Sequence, residues 1–417
     1  MQTSKIMKYK IMLVIGLVIF LDNVGAGIVM PILPTLFMNN DIGIAYGLTV
    51  PFKNFYFGLS YLLFPLITIF SNPYLGYLSD LKGRKFVIVL GLTGFIISNF
   101  ITIISIFLHN LWLFLFTRLL LGFFAGSYAS ANATLMDISS NEHEKINNIK
   151  FMTLLGVLGF ILSPVFSAFI PSKLTTVSLT TPFIIVFLLS GISLFLVILL
   201  FPVGSPDKNN AKLPNVFKNF LNSIFFICKT KRILWLSITL FLFQMGYSFY
   251  FQIVALDLQR KHGFLISQTA WFFFVMGICY TLGMYLFHSL LKRYFTNKVA
   301  SNISLLLSSI FVGILSINEM SGVFFWSNNL QILWLCNILF FMVIPTASIN
   351  ISNQLIEITN ENKGLIMGAI GQVYSLAIIG SSILISFHTY FSNYELMVTS
   401  IIMFLVYIVH NRLQKNI

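Results

Sequence analysis

Two ionisable residues lie inside long apolar runs of this sequence. Asp22 stands about eleven residues into the stretch 11–37, and Arg118 falls within 110–136. At mid-bilayer a charged side chain costs about 2.5–3.5 kcal/mol on insertion scales. Asp22 therefore needs a cavity, a partner or a proton. Burial favours the neutral carboxyl and a nearby guanidinium favours the ionised one, so a carboxyl balanced between them can load and release protons. Arg118 is always charged and is the sole basic residue inside a span, so it calls for a carboxylate or an anionic ligand. The same two residues form the candidate proton-coupling pair.

Patterns for bond-making chemistry are missing. The chain has no H-E-x-x-H, no G-x-S-x-G, no paired carboxylates and no G-x-x-x-x-G-K-[ST] segment. An enzyme is not expected, and neither is direct use of ATP. Cys228, Cys279 and Cys336 show no paired or metal-binding spacing. His288 and His388 lie near span ends without a second ligand at metal spacing, so both read as structural. No metal and no cofactor are expected, and a proton gradient is the expected energy source.

The elements that carry these residues follow from composition. Of 417 residues, 57% are hydrophobic and only 9% are charged, against about 25% charged in a soluble domain. So few charges cannot cover a surface facing water, which makes lipid the solvent. Twelve runs reach the roughly 20 apolar residues a membrane helix needs. They cover 11–37, 55–78, 86–108, 110–136, 151–171, 177–203, 233–256, 267–291, 299–317, 330–356, 365–387 and 395–411. The first run follows Lys5, Lys8 and Lys10, but it is too long for a signal-peptide core and should remain as a span.

The net charge of +13 sits in short stretches between spans, not in a basic domain that could hold nucleic acid. Twenty of the 25 Lys and Arg fall on the side that also holds both termini, which places the termini in the cytoplasm. The longest polar segment, Gly204–Arg232, divides the spans six and six, and its Val216–Ile227 could form an amphipathic surface helix. The expected organisation is a six-helix bundle over 1–203, a cytoplasmic linker over 204–232 and a second six-helix bundle over 233–417, the layout of a secondary transporter with parallel repeats.

Polar amides mark a binding cavity. Gln244 and Gln252 in span seven and Asn337 in span ten sit among aromatics, and lipid will not satisfy an amide. They are the candidate substrate-binding residues for a mostly apolar solute. Pro31, Pro34 and Pro345 are expected to kink spans one and ten. Asp257 and Glu357 read as solvated helix ends.

The loop after span two reads Gly76-Tyr77-Leu78-Ser79-Asp80-Leu81-Lys82-Gly83-Arg84-Lys85. Gly76 is expected to allow close helix approach, Gly83 a tight turn, and Asp80 a cap or a pair with Arg84. This stretch resembles the G-x-L-[AS]-D-[RK]-x-G-R-[RK] signature of the major facilitator superfamily, with Lys82 one place after the usual basic position. Leu21–Pro34 is similar to the first span of tetracycline–proton and other drug–proton antiporters. Arg118-x-x-x-Gly122-x-x-x-Gly126 resembles the family's fourth-span motif, and Asp137-Ile138 the end of that span. In span five, Gly156-x-x-Gly159-x-x-x-Ser163-Pro164-x-x-Ser167-Ala168 is similar to the antiporter motif, with Ser163, Ser167 and Ala168 where Gly is usual. Span nine, Val299–Ile317, lacks the carboxylate expected of a tetracycline antiporter.

The resemblance implies an all-α major facilitator fold, alternating access and a monomer in the cell (inner) membrane. Gly76, Asp80, Gly83, Arg84 and Asp137 would then gate the cytoplasmic side, Asp137 pairing with Arg84 as a latch. The expected function is proton-coupled export of a small amphipathic organic molecule, with multidrug efflux as its type. The alternative is uptake of an amino acid or siderophore by proton symport, and a membrane-embedded enzyme or receptor is a remote third. Asp80→Asn and Arg84→Ala should each lower transport while leaving substrate affinity largely intact, because the loop lies away from the cavity. Unchanged transport in both variants would leave the loop as a topological turn.

Overall fold

The computed structural model describes residues 5–125, 130, 131, 134, 142–170, 174–201, 225, 227, 228, 230–319, 329–358, 363–388 and 394–415. Among these residues the structure is helical, without strands. In lipid every backbone N–H and C=O needs a partner inside the chain, which a helix supplies within its own segment. The helices are α1 (Lys5–Gly27), α2 (Leu33–Met38), α3 (Val50–Lys82), α4 (Arg84–Phe107), α5 (Leu111–Phe124), α6 (Glu142–Ala168) and α7 (Thr176–Leu200). They continue with α8 (Lys231–Arg260), α9 (Ile266–Leu282), a π-helical turn at Gly283–Phe287, α10 (His288–Tyr294), α11 (Asn297–Glu319), α12 (Leu330–Ile358), α13 (Lys363–Ser386) and α14 (Glu395–Lys415).

Every expected span has its helix. Ten helices among the described residues are long and apolar enough to cross a membrane. The first expected span appears as α1 and α2, broken between Gly27 and Leu33 where Pro31 stands. The fourth appears as α5, a shorter apolar helix. Val216–Ile227, the expected surface helix, lies mostly outside the described residues. The ninth span runs past its expected end at Ile317 to Glu319 and so does carry a carboxylate.

Local sequence sets the helix starts. Thr175 and Ser178 form a reciprocal cap on α7: Thr175 Oγ1 accepts from Ser178 N at 3.1 Å, and Ser178 Oγ accepts from Thr175 N at 2.8 Å. Asn110 caps α5 by accepting from Leu113 N at 3.0 Å, and Thr230 caps α8 by accepting from Ile233 N at 3.3 Å. Within the spans, many serine and threonine hydroxyls return to their own helix. Ser98 donates to Gly94 O at 2.7 Å and Thr102 to Ser98 O at 2.8 Å. Outward faces are apolar instead. Leu188, Ile192, Phe195 and Leu199 form one stripe along α7, each more than half exposed, which fits a helix whose outer solvent is hydrocarbon.

The chain divides into two compact units. The first comprises 1–48, 63–218 and 262–274; the second comprises 49–62, 219–261 and 275–417. The division therefore departs from a simple cut in the central loop: the start of α3 goes with the second unit and the start of α9 with the first. In the first unit α1 packs on α6 and α7, and α4 packs on α5 and α7. Its core joins Ile11, Ile15 and Val18 of α1 to Ile88, Leu92, Met152 and Val197. In the second unit α11 packs on α12 and α14, while α8 packs on α12, α13 and α14.

Glycines separate into two kinds. A Cβ on Gly283 would strike the Met342 carbonyl of α12, so the π turn sits at a tight helix crossing. A Cβ on Gly122 would come 2.6 Å from Phe64 O. Gly76 was expected to permit close approach, and the structure corrects that: a Cβ there meets nothing within 4 Å among the described residues. The same substitution should therefore act in opposite directions at two sites. Gly76→Ala should leave stability unchanged or raise it by about 0.5–1 kcal/mol. Gly283→Ala should lower it by about 1–3 kcal/mol, read as the thermal unfolding midpoint of the purified protein in detergent.

Candidate functional site

The fifth-span small residues pack against the turn of α1 that carries Asp22. Asp22 is half-buried. Next to it, Asn23 donates from Nδ2 to Ile19 O at 2.8 Å. A Cβ on Gly156 of α6 would lie 3.4 Å from Asn23 Nδ2, and one on Gly159 would meet the Phe20 carbonyl. A Cβ on Gly27 would in turn collide with the Ser163 hydroxyl. Ser163 returns its own proton to Phe160 O at 2.7 Å, and Pro164 follows it inside α6. Ser167 donates to Ile28 O at 2.8 Å, satisfying a carbonyl where α1 has ended and no helical N–H can reach it. Gly159 and Gly27 thus let the two helices approach closely on both sides of Asp22.

Arg118 is buried in α5, with its guanidinium 4.5 Å from the Phe114 ring centroid. That contact supplies a cation–π interaction in a desolvated setting.

The signature loop is a tight turn between α3 and α4. Gly83 holds φ +93°, a region that side chains disfavour, and Arg84 opens α4 directly after it. Arg84 Nη1 donates to Ser79 Oγ at 3.1 Å. Lys85 was singled out only as part of the motif, yet it has a definite task. Its ammonium donates to Ile198 O at 2.9 Å and Phe201 O at 2.6 Å, the last carbonyls of α7. A cation there satisfies orphan acceptors and complements the helix dipole. The Asp80 side chain and Asp137 lie outside the described residues, and the expected latch to Arg84 lies there with them.

In the second unit the candidate amides are engaged by neighbouring helices. Gln252 Nε2 donates to Ser381 Oγ at 3.2 Å, and Gln252 Oε1 accepts from Ser382 Oγ at 3.4 Å. Asn337 Oδ1 accepts from the Tyr250 hydroxyl, and its Nδ2 donates to Leu333 O at 2.8 Å. Gln244 is half-buried on the same helix as Gln252. Around them Tyr247, Tyr250, Phe251, Phe340 and Phe341 form a continuous set of ring contacts. Ser348 and Ser352 both reach Tyr374 Oη, at 3.2 and 3.1 Å. Hydroxyls and amides bordering aromatic rings can hold a flat, mostly apolar molecule.

At one end of this unit lies a charged cluster that the sequence reading passed over. Lys261, the C-cap of α8, places Nζ 3.2 Å from Asp257 Oδ1, 2.9 Å from Glu319 Oε2 and 3.4 Å from Glu395 Oε2. His388 Nε2 lies 2.7 Å from Glu395 Oε1. Asp257 was expected to be a solvated helix end and His388 an interfacial residue. Both are buried, at 2% and 1% exposure, because the ends of α8, α11, α13 and α14 close over them. A readable signal existed: Asp257, Glu319, His388 and Glu395 all fall at same-side ends of spans seven, nine, eleven and twelve, and Asp257 and Lys261 are four apart. At the opposite end, Gln354 Nε2 donates to Ser301 Oγ at 3.0 Å, His410 Nε2 lies 2.8 Å from the same hydroxyl, and the exposed Glu357 accepts from Asn297.

Burial works against the Lys261 ammonium, yet Asp257, Glu319 and Glu395 outweigh it and hold its pKa above the ordinary lysine value. A raised folded pKa means that the stabilisation is complete below the unfolded value and fades only as pH rises through the folded one. Lys261→Gln should accordingly lower unfolding stability by about 3 kcal/mol at neutral pH, since removing one partner strands buried charges. The deficit should stay constant up to about pH 10 and close only beyond it, as measured by thermal unfolding across pH.

A family model described as Major Facilitator Superfamily matches residues 15–382. The chain is 29% identical over 234 residues to the quinolone resistance protein NorA of Staphylococcus aureus (strain MSSA476), covering 56% of each chain. It is 28% identical over 219 residues to the class B tetracycline resistance protein of Escherichia coli, covering 52% of this chain and 49% of that one. The chain thus matches about half the length of these curated relatives. Among solved structures, the nucleoside transporter NupG superposes with a TM-score of 0.70 at 15% identity, over 98% of this chain and 99% of that one.

Proposed function

This chain belongs to the major facilitator superfamily, a family of membrane transporters and not of enzymes, and on that premise we propose that it exports a small amphipathic organic molecule in exchange for protons. The observation that carries the reading is the α1–α6 contact around Asp22. The small residues of the fifth-span motif bring α6 onto the turn that holds this carboxylate. A change in how the two helices cross would alter the surroundings of Asp22, and protonation of Asp22 would alter the crossing in return. Such reciprocity is what couples a proton to a conformational change. The partial likeness to quinolone and tetracycline resistance proteins supports the export direction and an aromatic, amphipathic solute.

In this mechanism Asp22 carries the proton and Arg118 modulates it, favouring the ionised carboxylate when the cavity brings them into reach. Gly83 and Arg84 set the cytoplasmic turn, with Asp80 and Asp137 as its acidic partners. Gln244 contacts the solute, as do Gln252 and Asn337 once their present helix-to-helix hydrogen bonds are exchanged for bonds to it. Both termini face the cytoplasm of the cell membrane, and the chain works as a monomer. A second reading, uptake by proton symport, draws on Ser163 and Ser167. These residues add hydroxyls, and Ser167 adds a hydrogen bond to α1, where antiporters usually have glycine.

Everted vesicles separate the readings. With a quinolone or tetracycline as probe, proton release from acidified vesicles on adding the probe supports antiport, whereas proton movement in the direction of the probe supports symport. Asp22→Asn keeps the shape but loses the titratable group, so it should reduce uphill accumulation to background while passive exchange survives in part. Uphill transport by Asp22→Asn with unchanged pH dependence would make Asp22 structural.

A further inference from the structure

The cluster at the ends of α8, α11, α13 and α14 gathers acidic side chains around one lysine. Three carboxylates, from Asp257, Glu319 and Glu395, face the single ammonium of Lys261 within 3.4 Å. Buried carboxylates need cationic or hydrogen-bonding partners, and a divalent cation is one such partner.

The arrangement of atoms fits a cation. Lys261 engages one oxygen of each of two carboxylates, Asp257 Oδ1 and Glu395 Oε2. The second oxygens remain on the inner side: Glu395 Oε1 lies 2.7 Å from His388 Nε2, and Asp257 Oδ2 is buried without a hydrogen-bond partner among the described residues. One donor atom each from Asp257, His388 and Glu395 lies within 4.8 Å of the others, and all three residues are buried. Small carboxylate rotations bring such a set onto one ion at the 2.0–2.2 Å distances of Zn–N and Zn–O bonds.

We propose that Asp257, His388 and Glu395 form a binding site for a first-row divalent cation, held at the end of the second unit and separate from the solute-binding amides. One imidazole and two carboxylates suit Zn²⁺ or Mn²⁺ better than Cu⁺, which prefers thiolates, or Mg²⁺, which keeps its waters. Glu319 and Lys261 form the surrounding shell: Lys261 fixes the carboxylates from the outside, and Glu319 holds Lys261. The site joins two residues on span-end segments, His388 and Glu395, to α8, which bears Gln244 and Gln252. The bound cation would therefore tie these helix ends together.

The test uses the full chain purified in detergent and stripped with a chelator. On adding Zn²⁺ and removing the excess by gel filtration, elemental analysis should find one equivalent per chain. The thermal midpoint should rise with Zn²⁺ concentration. Asp257→Asn and His388→Gln should each weaken the affinity by more than about a hundredfold, beyond the usual cost of losing a surrounding-shell partner, while His262→Gln retains it. Should either ligand variant fail to fold, X-ray absorption on the Zn²⁺-loaded parent decides: one imidazole in a shell otherwise of oxygen supports the site. No retained Zn²⁺ in the parent, unaltered affinity in the folded ligand variants, or a shell with sulfur or several imidazoles would overturn it.

Discussion

Hydrocarbon offers no hydrogen bonds, and nearly every feature of this protein answers that single constraint. Backbone groups pair within helices. Span hydroxyls return to carbonyls of their own turn, as Ser98 and Thr102 do. Where a helix must end, something charged or polar covers the loose groups: the Thr175–Ser178 pair at the start of α7 and the Lys85 ammonium at its end. The break in α1 is met in the same way by Ser167 of α6. A chain in water could leave these termini to solvent; this one cannot.

The constraint also explains the distribution of charge. Ionisable groups are confined to loops, to span ends and to a few interior positions whose maintenance cost implies use. Asp22 sits where glycines thin the contact between two helices, and Arg118 lies over an aromatic face. Asp257, Glu319, His388 and Glu395 meet where four helix ends converge. The two settings differ in kind. The first is a single carboxyl beside a close helix contact, and the second is a dense network around one lysine that ties its helices together.

Twelve helices were legible because an apolar run of about twenty residues has one structural solution in lipid. Their ends were less so: α6 begins at Glu142, nine residues before its apolar run, because a helix continues into water past the membrane boundary. The break in the first span was readable from Pro31. Gly76 misled, because a glycine reports permission for contact and not the presence of a neighbour. The amides at Gln252 and Asn337 were rightly placed among aromatics, but their partners Ser381, Ser382 and Tyr250 come from far along the chain or another helix face. The charged cluster escaped for the same reason. Each of its members, taken alone, is an ordinary helix end, and only the convergence of four ends makes them a buried group.

The π turn at Gly283–Phe287 has a consequence for how this helix can vary. A wider ring holds one residue more than an α turn, so everything after Phe287 is rotated by about 100° relative to a continuous α-helix. His288, Lys292 and Arg293 therefore occupy a face that an unbroken helix would have given to their neighbours. A gene encoding one residue fewer here would yield a regular helix with a differently directed basic end, while α9 upstream kept its register. Length variation at this position is thus a way for relatives to re-aim one end of a span without disturbing the other.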